Sequence, residues 1–117
     1  MADFKAMLRI VTFVPPDQVE KVIEGVQKIT PLKYGKYAGV AWQSTPGIKR
    51  YQPLSGSNPT AGKENEVSRE PSVKLEFSIP RSPLLLKRVI NEGIIPNHPW
   101  EEPVILVFEV RETRTQT

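Results

Sequence analysis

The chain has 117 residues, a formal net charge of +3 and no cysteine. This length allows one domain with a single core and is too short for two ordinary domains. Without cysteine, disulfides, thiolate zinc sites and cysteine nucleophiles are excluded. No apolar run approaches the roughly 18 residues that a membrane-spanning helix needs, and the first six residues are too short and too acidic for a signal peptide. We therefore expect a soluble protein of the cytoplasm with no membrane partner.

Residues 7–14 predict the first strand, after a flexible lead-in over residues 1–6. The segment is rich in β-branched and aromatic residues, and it ends at Pro15 and Pro16, which cannot donate to a sheet ladder. Its apolar residues are nearly continuous, which is typical of a central strand that is covered on both faces.

Residues 16–29 predict a helix, because their apolar side chains recur at a spacing of three and four and so form one stripe. Asp17 and Glu20 suit the positive end of the helix dipole, and Lys28 suits the negative end. The stripe consists of Val19, Val22, Ile23, Val26 and Ile29. We expect it to pack against a sheet.

Residues 37–43 alternate weakly between apolar and polar side chains and predict a second strand. Residues 44–71 are rich in Gly, Ser and Pro and predict a long irregular insertion. A loop of this length is uncommon in a compact domain, and such loops are functional, flexible or interrupted by short strands. Residues 50–53 are a candidate for one short strand.

Residues 73–79 alternate cleanly and predict a strand with one face in the core. Ser82 and Pro83 then suit an N-cap and a first helical position, and the helix that they open is expected to end near Gly93. A last strand is predicted over residues 104–110, followed by a polar tail over residues 112–117.

This order of elements predicts a ferredoxin-like α+β sandwich over residues 7–111. Two helices would cover one face of a four-stranded antiparallel sheet, with the long insertion after the second strand. The first and last strands are apolar on both sides, yet no helix is left for the second face of the sheet. We therefore expect that face to be buried against another copy of the chain.

The charge is unevenly distributed. No Asp or Glu occurs between residues 25 and 63, where six basic residues fall: Lys28, Lys33, Lys36, Lys49, Arg50 and Lys63. Such a stretch attracts anions, and Lys49, Arg50 and Lys63 are the candidate residues for a metabolite or nucleotide. The favoured interpretation is a loop that lysines keep solvated, since runs of charge usually mark solvent-exposed faces.

Residues 96–103 (PNHPWEEP) contain the only histidine of the chain. His98 with Glu101 and Glu102 is a candidate for a divalent metal site, although such a site usually needs three or four ligands. The favoured alternative is a hydrogen-bonded histidine in a turn that prolines make rigid and Trp100 covers. Beside His98 and Glu102 the sequence shows no nucleophile, which disfavours catalysis.

Other functional motifs are weak. Neither a dinucleotide-binding nor a phosphate-loop glycine pattern is present. Trp42 and Tyr51 lie among basic residues and are able to stack on nucleic acid bases. Aromatic residues are more often core or interface, and nucleic acid is therefore a disfavoured partner.

Residues 98–103 (HPWEEP) resemble the HPYEEP-type motif of the Nif-three-like family, in the domain inserted between the halves of its longer YqfO-type members. Upstream residues occur in the order that this domain shows: Phe13-Val14-Pro15, Gly35, Tyr37, Trp42, Gly47, Tyr51, Pro53, Gly56, Asn58-Pro59, Gly62, Glu66-Val67 and Glu70. The resemblance covers residues 7–110. The chain departs from the pattern at residues 30–34 (TPLKY), where the family has a turn of glycines and small residues.

The resemblance implies a ferredoxin-like domain of the CutA and PII type, which assembles as a trimer with its sheets facing inward. The two-metal site of the longer members is expected to lie in flanking domains. With one histidine, this chain does not reproduce that site, so its hydrolase-like activity and metals do not transfer.

We therefore expect a non-enzymatic homo-oligomer, a trimer before a dimer, with a structural, ligand-sensing or regulatory role. No cofactor is assigned; the alternatives are a divalent metal at His98 and an anionic metabolite at the basic loop. Four aromatic residues of the motif and of a cleft beside the insertion complete the candidate site: Tyr37, Trp42, Tyr51 and Trp100.

Overall fold

A computed structural model describes residues 2–115 and confirms the predicted α+β ferredoxin-like architecture. Its five strands are β1 (Asp3–Val14), β2 (Trp42–Gln43), β3 (Gly47–Tyr51), β4 (Ser68–Pro80) and β5 (Ile105–Arg114). The sheet order is β2-β4-β1-β5, all pairs are antiparallel, and β3 pairs with the first part of β4. The last strand thus lies beside the first, as in a split βαβ fold.

Both predicted helices are present. After a 3₁₀ turn at Pro16–Gln18, α1 spans Val19–Gln27. The second helix, α2 (Pro83–Arg88), continues as a π-helical turn at Val89–Ile94 and a 3₁₀ turn at Ile95–Asn97. Ser82 is its N-cap as predicted, since its hydroxyl accepts a hydrogen bond from the backbone N–H of Leu85 at 3.2 Å. None of the helices within residues 2–115 is long and apolar enough to cross a membrane.

The core lies between the helices and one face of the sheet. Alternate residues of β1 and β4 point into it and are buried, since successive side chains of a strand lie on opposite faces. The core cluster consists of Leu8, Ile10, Val14, Val19, Val22, Val26, Leu32, Val73, Leu75, Phe77, Ile79, Val89 and Ile94. The predicted stripe of α1 therefore packs as expected.

The helices approach each other closely at two glycines. A Cβ atom placed on Gly25 would lie 2.6 Å from the carbonyl oxygen of Gly93. The side-chain amide of Asn97 donates to that same carbonyl at 2.8 Å, so the π-helical turn is hydrogen-bonded at the contact. This contact fixes where the helix ends and hence where residues 96–103 begin.

The ends of the chain differ from the prediction. Residues 3–6 and 112–114 were expected as a lead-in and a polar tail, but they extend β1 and β5 and pair with each other. The Arg111 guanidinium also lies 5.2 Å from the centre of the Phe4 ring. Backbone pairing and this contact hold both segments in the sheet, although their polar side chains alone do not predict a strand. Residues 1, 116 and 117 of the predicted segments lie outside the described residues.

The second strand and the insertion also differ. Residues 37–41 are not in a strand, because Gly35 and Gly39 have φ near +61° and +65° and turn the chain. Only Trp42–Gln43 pairs with β4. The short strand within the insertion is Gly47–Tyr51 rather than residues 50–53, and it makes the sheet five-stranded instead of four-stranded.

The sheet face opposite the helices is called the open face here. It carries Arg9, Val11 and Phe13 of β1, Lys74, Glu76 and Ser78 of β4, and Leu106, Phe108 and Val110 of β5. Leu106 is 43% exposed and Phe108 is 50% exposed. No helix within residues 2–115 packs on this face, which agrees with the prediction that no helix is left to cover it.

Candidate functional site

Residues 96–103 are anchored to the end of β1 by His98. The ring Nε2 of His98 lies 2.7 Å from the carbonyl oxygen of Phe13, and the backbone N–H of Trp100 donates to Nδ1 at 3.1 Å. Since Nδ1 accepts, the ring proton lies on Nε2, which donates to Phe13. Burial lowers the pKa of His98 below its ordinary value; the bond to Phe13 opposes this effect, and the charge of Lys49 adds to it. An imidazole that accepts at Nδ1 and donates at Nε2 is in its neutral form.

Lys49 of β3 lies between two aromatic rings. Its Nζ is 3.3 Å from the centre of the Trp100 ring and 4.8 Å from the centre of the Tyr51 ring. Aromatic faces attract cations, and partial burial strengthens this attraction. Desolvation lowers the pKa of Lys49 from its ordinary value. The contact joins the insertion to the residues around His98.

Two hydrogen bonds also hold the insertion against residues 99–101. The backbone N–H of Asn58 donates to Oε1 of Glu101 at 2.9 Å, and the Thr60 hydroxyl donates to the carbonyl oxygen of Pro99 at 2.7 Å. The Tyr51 hydroxyl donates to the carbonyl oxygen of Ala61 at 2.7 Å. The loop after β3 therefore folds back over residues 99–101.

A cavity of about 520 Å³ opens between β3, the end of the open face and Trp100. We call it the Lys49 cavity; its walls include Phe13, Ile48, Lys49, Ser72, Lys74 and Trp100. This volume lies in the range of small-molecule sites, roughly 300–1,000 Å³. The cavity carries two amines and several apolar side chains.

The structure does not bring the three predicted metal ligands together. Both nitrogens of His98 are engaged by the backbone, and Glu101 accepts from Asn58. Glu102 is exposed. Among residues 2–115, no three His, Cys, Asp or Glu side chains are placed to hold one ion. The geometry of a single chain thus gives the metal hypothesis no support.

The predicted anion-binding residues are separated. Lys49 is on the side of β3 that carries Tyr51 and faces Trp100, whereas Arg50 points to the opposite side because neighbouring strand residues alternate. Arg50 lies opposite Arg69 of β4. Lys63 is in the loop beyond β3 and does not line the Lys49 cavity. Of the three, only Lys49 reaches the cavity.

The four predicted aromatic residues divide into two pairs. Trp100 and Tyr51 flank Lys49. Tyr37 is exposed and forms an isolated bridge with Tyr34, and Trp42 is exposed on the open face opposite Glu76. Of these four residues, only Trp100 lines the Lys49 cavity.

Sequence reasoning missed most of the cavity lining, including Phe13, Ser72 and Lys74. Phe13 and Lys74 are paired neighbours on adjacent strands, and both point to the open face. The alternation of β4 does place Lys74 on the side away from the core. Nothing local in the sequence links it to Lys49, which lies in a different strand.

The fold defines the class of protein. The chain has the ferredoxin-type architecture of CutA and PII-like proteins. CutA1 of Ehrlichia chaffeensis, a divalent ion tolerance protein, matches with a TM-score of 0.63 and 13% identity over 91% of this chain and 82% of that one. The apo form of CPII from Thiomonas intermedia, a nitrogen regulatory PII-like protein, matches with a TM-score of 0.55 and 12% identity over 97% and 99%. At these identities, the likeness shows the fold alone.

Relatives with higher sequence identity indicate a narrower group of proteins than the fold does. A GTP cyclohydrolase 1 type 2 homolog of Bacillus subtilis is 30% identical over 105 residues, which are 90% of this chain and 27% of the relative. A Bacillus cereus protein related to NIF3 matches in structure with a TM-score of 0.73 and 24% identity, over 92% of this chain and 26% of that one. These similarities confirm the predicted resemblance to Nif-three-like proteins. The chain spans about a quarter of the length of the curated relatives it matches, and no known protein-family profile matches it.

Proposed function

We propose that this chain is a self-associating CutA/PII-like domain, a trimer before a dimer, with a ligand-sensing or regulatory role in the cytoplasm. The open face of the sheet and the free edge of β5 form the contact between copies. The trimer is the assembly that the resemblance to CutA and PII proteins implies. The observation that carries the proposal is the run of exposed apolar residues on β5.

Residues 104–108 of this edge region are all apolar. Four of them are at least 40% exposed, namely Val104, Leu106, Val107 and Phe108, and Ile105 is half-buried. In the described part of the chain, β5 pairs only with β1, so its other edge presents free N–H and C=O groups. An apolar edge strand is a template for association, and native proteins keep such edges covered. A second copy would supply both the cover and the backbone pairing.

The charged residues of the open face suit burial in such a contact, because they are already paired. Arg9 Nε lies 3.2 Å from Glu76 Oε1, and Lys74 Nζ lies 3.4 Å from Glu76 Oε2. Burial raises the pKa of Glu76, but the hydrogen bonds and charges of Arg9 and Lys74 together outweigh it, so that this pKa is lowered from its ordinary value. Covering paired and hydrogen-bonded charges costs less than covering isolated ones.

The regulatory part of the proposal is supported by the fold and by the Lys49 cavity. One structural neighbour is described as a nitrogen regulatory PII-like protein. The insertion after β2 supplies Lys49 and folds onto Trp100, so an occupant of the cavity would contact both the insertion and the end of the open face. Such a ligand would be able to bias the assembly.

A matched pair of variants tests the contact surface. Leu106→Lys introduces a charge on the open face, and Leu84→Lys introduces the same charge on α2, where Leu84 is 71% exposed. In sedimentation velocity, we expect Leu106→Lys to dissociate the oligomer and Leu84→Lys to sediment like the unmodified protein. If both variants keep the oligomer intact, the open face is not the contact surface.

A further inference from the structure

We infer that the Lys49 cavity binds a small organic anion, a carboxylate or a phosphate ester, whose apolar body lies against Phe13, Trp100 and Val104. This inference rests on the ligand-sensing part of the proposed function and names its site and ligand class. It replaces the predicted set of Lys49, Arg50 and Lys63, because the structure leaves only Lys49 at the cavity.

The walls select for an amphipathic ligand. The cavity holds about 520 Å³, and Phe13, Trp100 and Val104 form its apolar part. Small-molecule sites combine such apolar walls with a few polar groups that fix orientation. An inorganic ion alone would leave the apolar walls unused.

The charge of the cavity is positive. Its lining contains two ammonium groups and no carboxylate. Lys74 is partly neutralised by Glu76 at 3.4 Å, whereas Lys49 takes part in none of the salt bridges within residues 2–115. Its ammonium is instead held on the Trp100 ring. An anion in the cavity would meet a positioned, partly desolvated cation, where electrostatic attraction exceeds that in water.

The cavity also contains a buried hydroxyl group that has no hydrogen-bond partner among the described residues. Ser72 lines the cavity and is 7% exposed, and its Oγ is buried with no hydrogen-bond partner among the described residues. Buried hydroxyls in folded proteins are nearly always hydrogen-bonded. A carboxylate or phosphate oxygen would accept from this hydroxyl, so the ligand would complete the polar side of the site.

Three probes of matched shape test the inference on the whole chain: benzoate, phenyl phosphate and neutral benzyl alcohol. Binding is followed by isothermal titration and by the indole N–H signal of Trp100 in ¹⁵N-resolved spectra. We expect saturable binding of an anion with a shift of Trp100, and weaker or no binding of the alcohol. Preference between the two anions distinguishes a carboxylate from a phosphate ligand.

Matched charge variants complete the test. Lys49→Gln should raise the dissociation constant by about tenfold or more, since a hydrogen bond to a charged group is lost. Arg50→Gln, on the other side of the same strand, should leave it unchanged, and Lys74→Gln gives a second reading if Lys49→Gln perturbs the fold. No binding of either anion, equal binding of the alcohol, or equal effects of the Lys49 and Arg50 variants would overturn the inference. The mass of the same samples is measured separately, so loss of binding by an intact oligomer refutes the ligand and not the assembly.

Discussion

His98 joins the loop after the second helix to the end of β1, 85 positions earlier in the chain, through a 2.7 Å hydrogen bond from its Nε2 to the carbonyl oxygen of Phe13. The other ring nitrogen accepts from the backbone of Trp100. The ring also lies 4.8 Å from the Trp100 ring, centre to centre. The histidine thus holds Trp100 at the cavity and Phe13 in its wall.

Replacing His98 with Ala should destabilise the fold. The change removes two hydrogen bonds and leaves the Phe13 carbonyl without its side-chain partner, so the free energy of unfolding should fall by about 2–3 kcal/mol. Urea unfolding measures this loss. Glu102→Ala, at an exposed carboxylate, is the control and should stay within about 0.5 kcal/mol. If the two changes lowered the free energy of unfolding equally, His98 would not be an anchor of the fold.

Stability should also depend on pH through His98. The pKa of His98 is lowered in the folded protein, so the unfolded chain takes up the proton first as the pH falls below about 6.5. The neutral ring makes its full contribution to the free energy of unfolding above that pH. As the pH falls further this contribution is lost, and the free energy of unfolding decreases by up to about 1.4 kcal/mol per pH unit. Unfolding between pH 7.5 and 5.5 measures it. A His98→Gln variant with the same slope would contradict this assignment.

Zinc binding should not depend on His98. Its ring nitrogens already have backbone partners, and Glu101 is bonded to Asn58. We expect zinc titrations of the unmodified protein and of His98→Gln to agree under conditions where both are folded. If the variant bound zinc severalfold more weakly, this result would support the hypothesis of a metal site at His98, Glu101 and Glu102.

The close contact between the helices should make Gly25→Ala destabilising. A Cβ at Gly25 would lie 2.6 Å from the carbonyl oxygen of Gly93, and backbone atoms would have to move. Despite the better helix propensity of Ala, Gly25→Ala should cost about 1–3 kcal/mol of unfolding free energy in urea. At Gly47 the nearest atom to an added Cβ is 3.9 Å away. Gly47→Ala is therefore the tolerated control, and a loss as large as that of Gly25→Ala would contradict the packing explanation.

Much of the fold could be predicted because its signals are local. The alternation of residues 73–79, the stripe of α1 and the cap at Ser82 each depend on neighbours within a few positions. Strand β3 could not be predicted in the same way, because its sequence GIKRY does not alternate and its structure depends on pairing with Ser68–Ser72 of β4. Turns at Gly35 and Gly39 likewise shortened the second strand.

The candidate site depends on contacts between residues that are far apart in the sequence. The motif around His98 was recognised, and its hydrogen-bonded role was the favoured interpretation. The contact between Lys49 and Trp100, however, links residues that no periodicity relates. Charge density pointed to Lys49, Arg50 and Lys63 together, whereas strand alternation and the path of the loop place them apart. Only tertiary structure adds Ser72 and Lys74 to the site.

The most direct test of the proposed assembly is the mass of the unmodified protein in solution by light scattering, over a range of concentrations, with and without zinc and a chelator. We predict the mass of three chains in every condition, because the apolar edge of β5 and the open face drive association without metal. A concentration-independent monomer would contradict the proposal and assign the open face to a different partner.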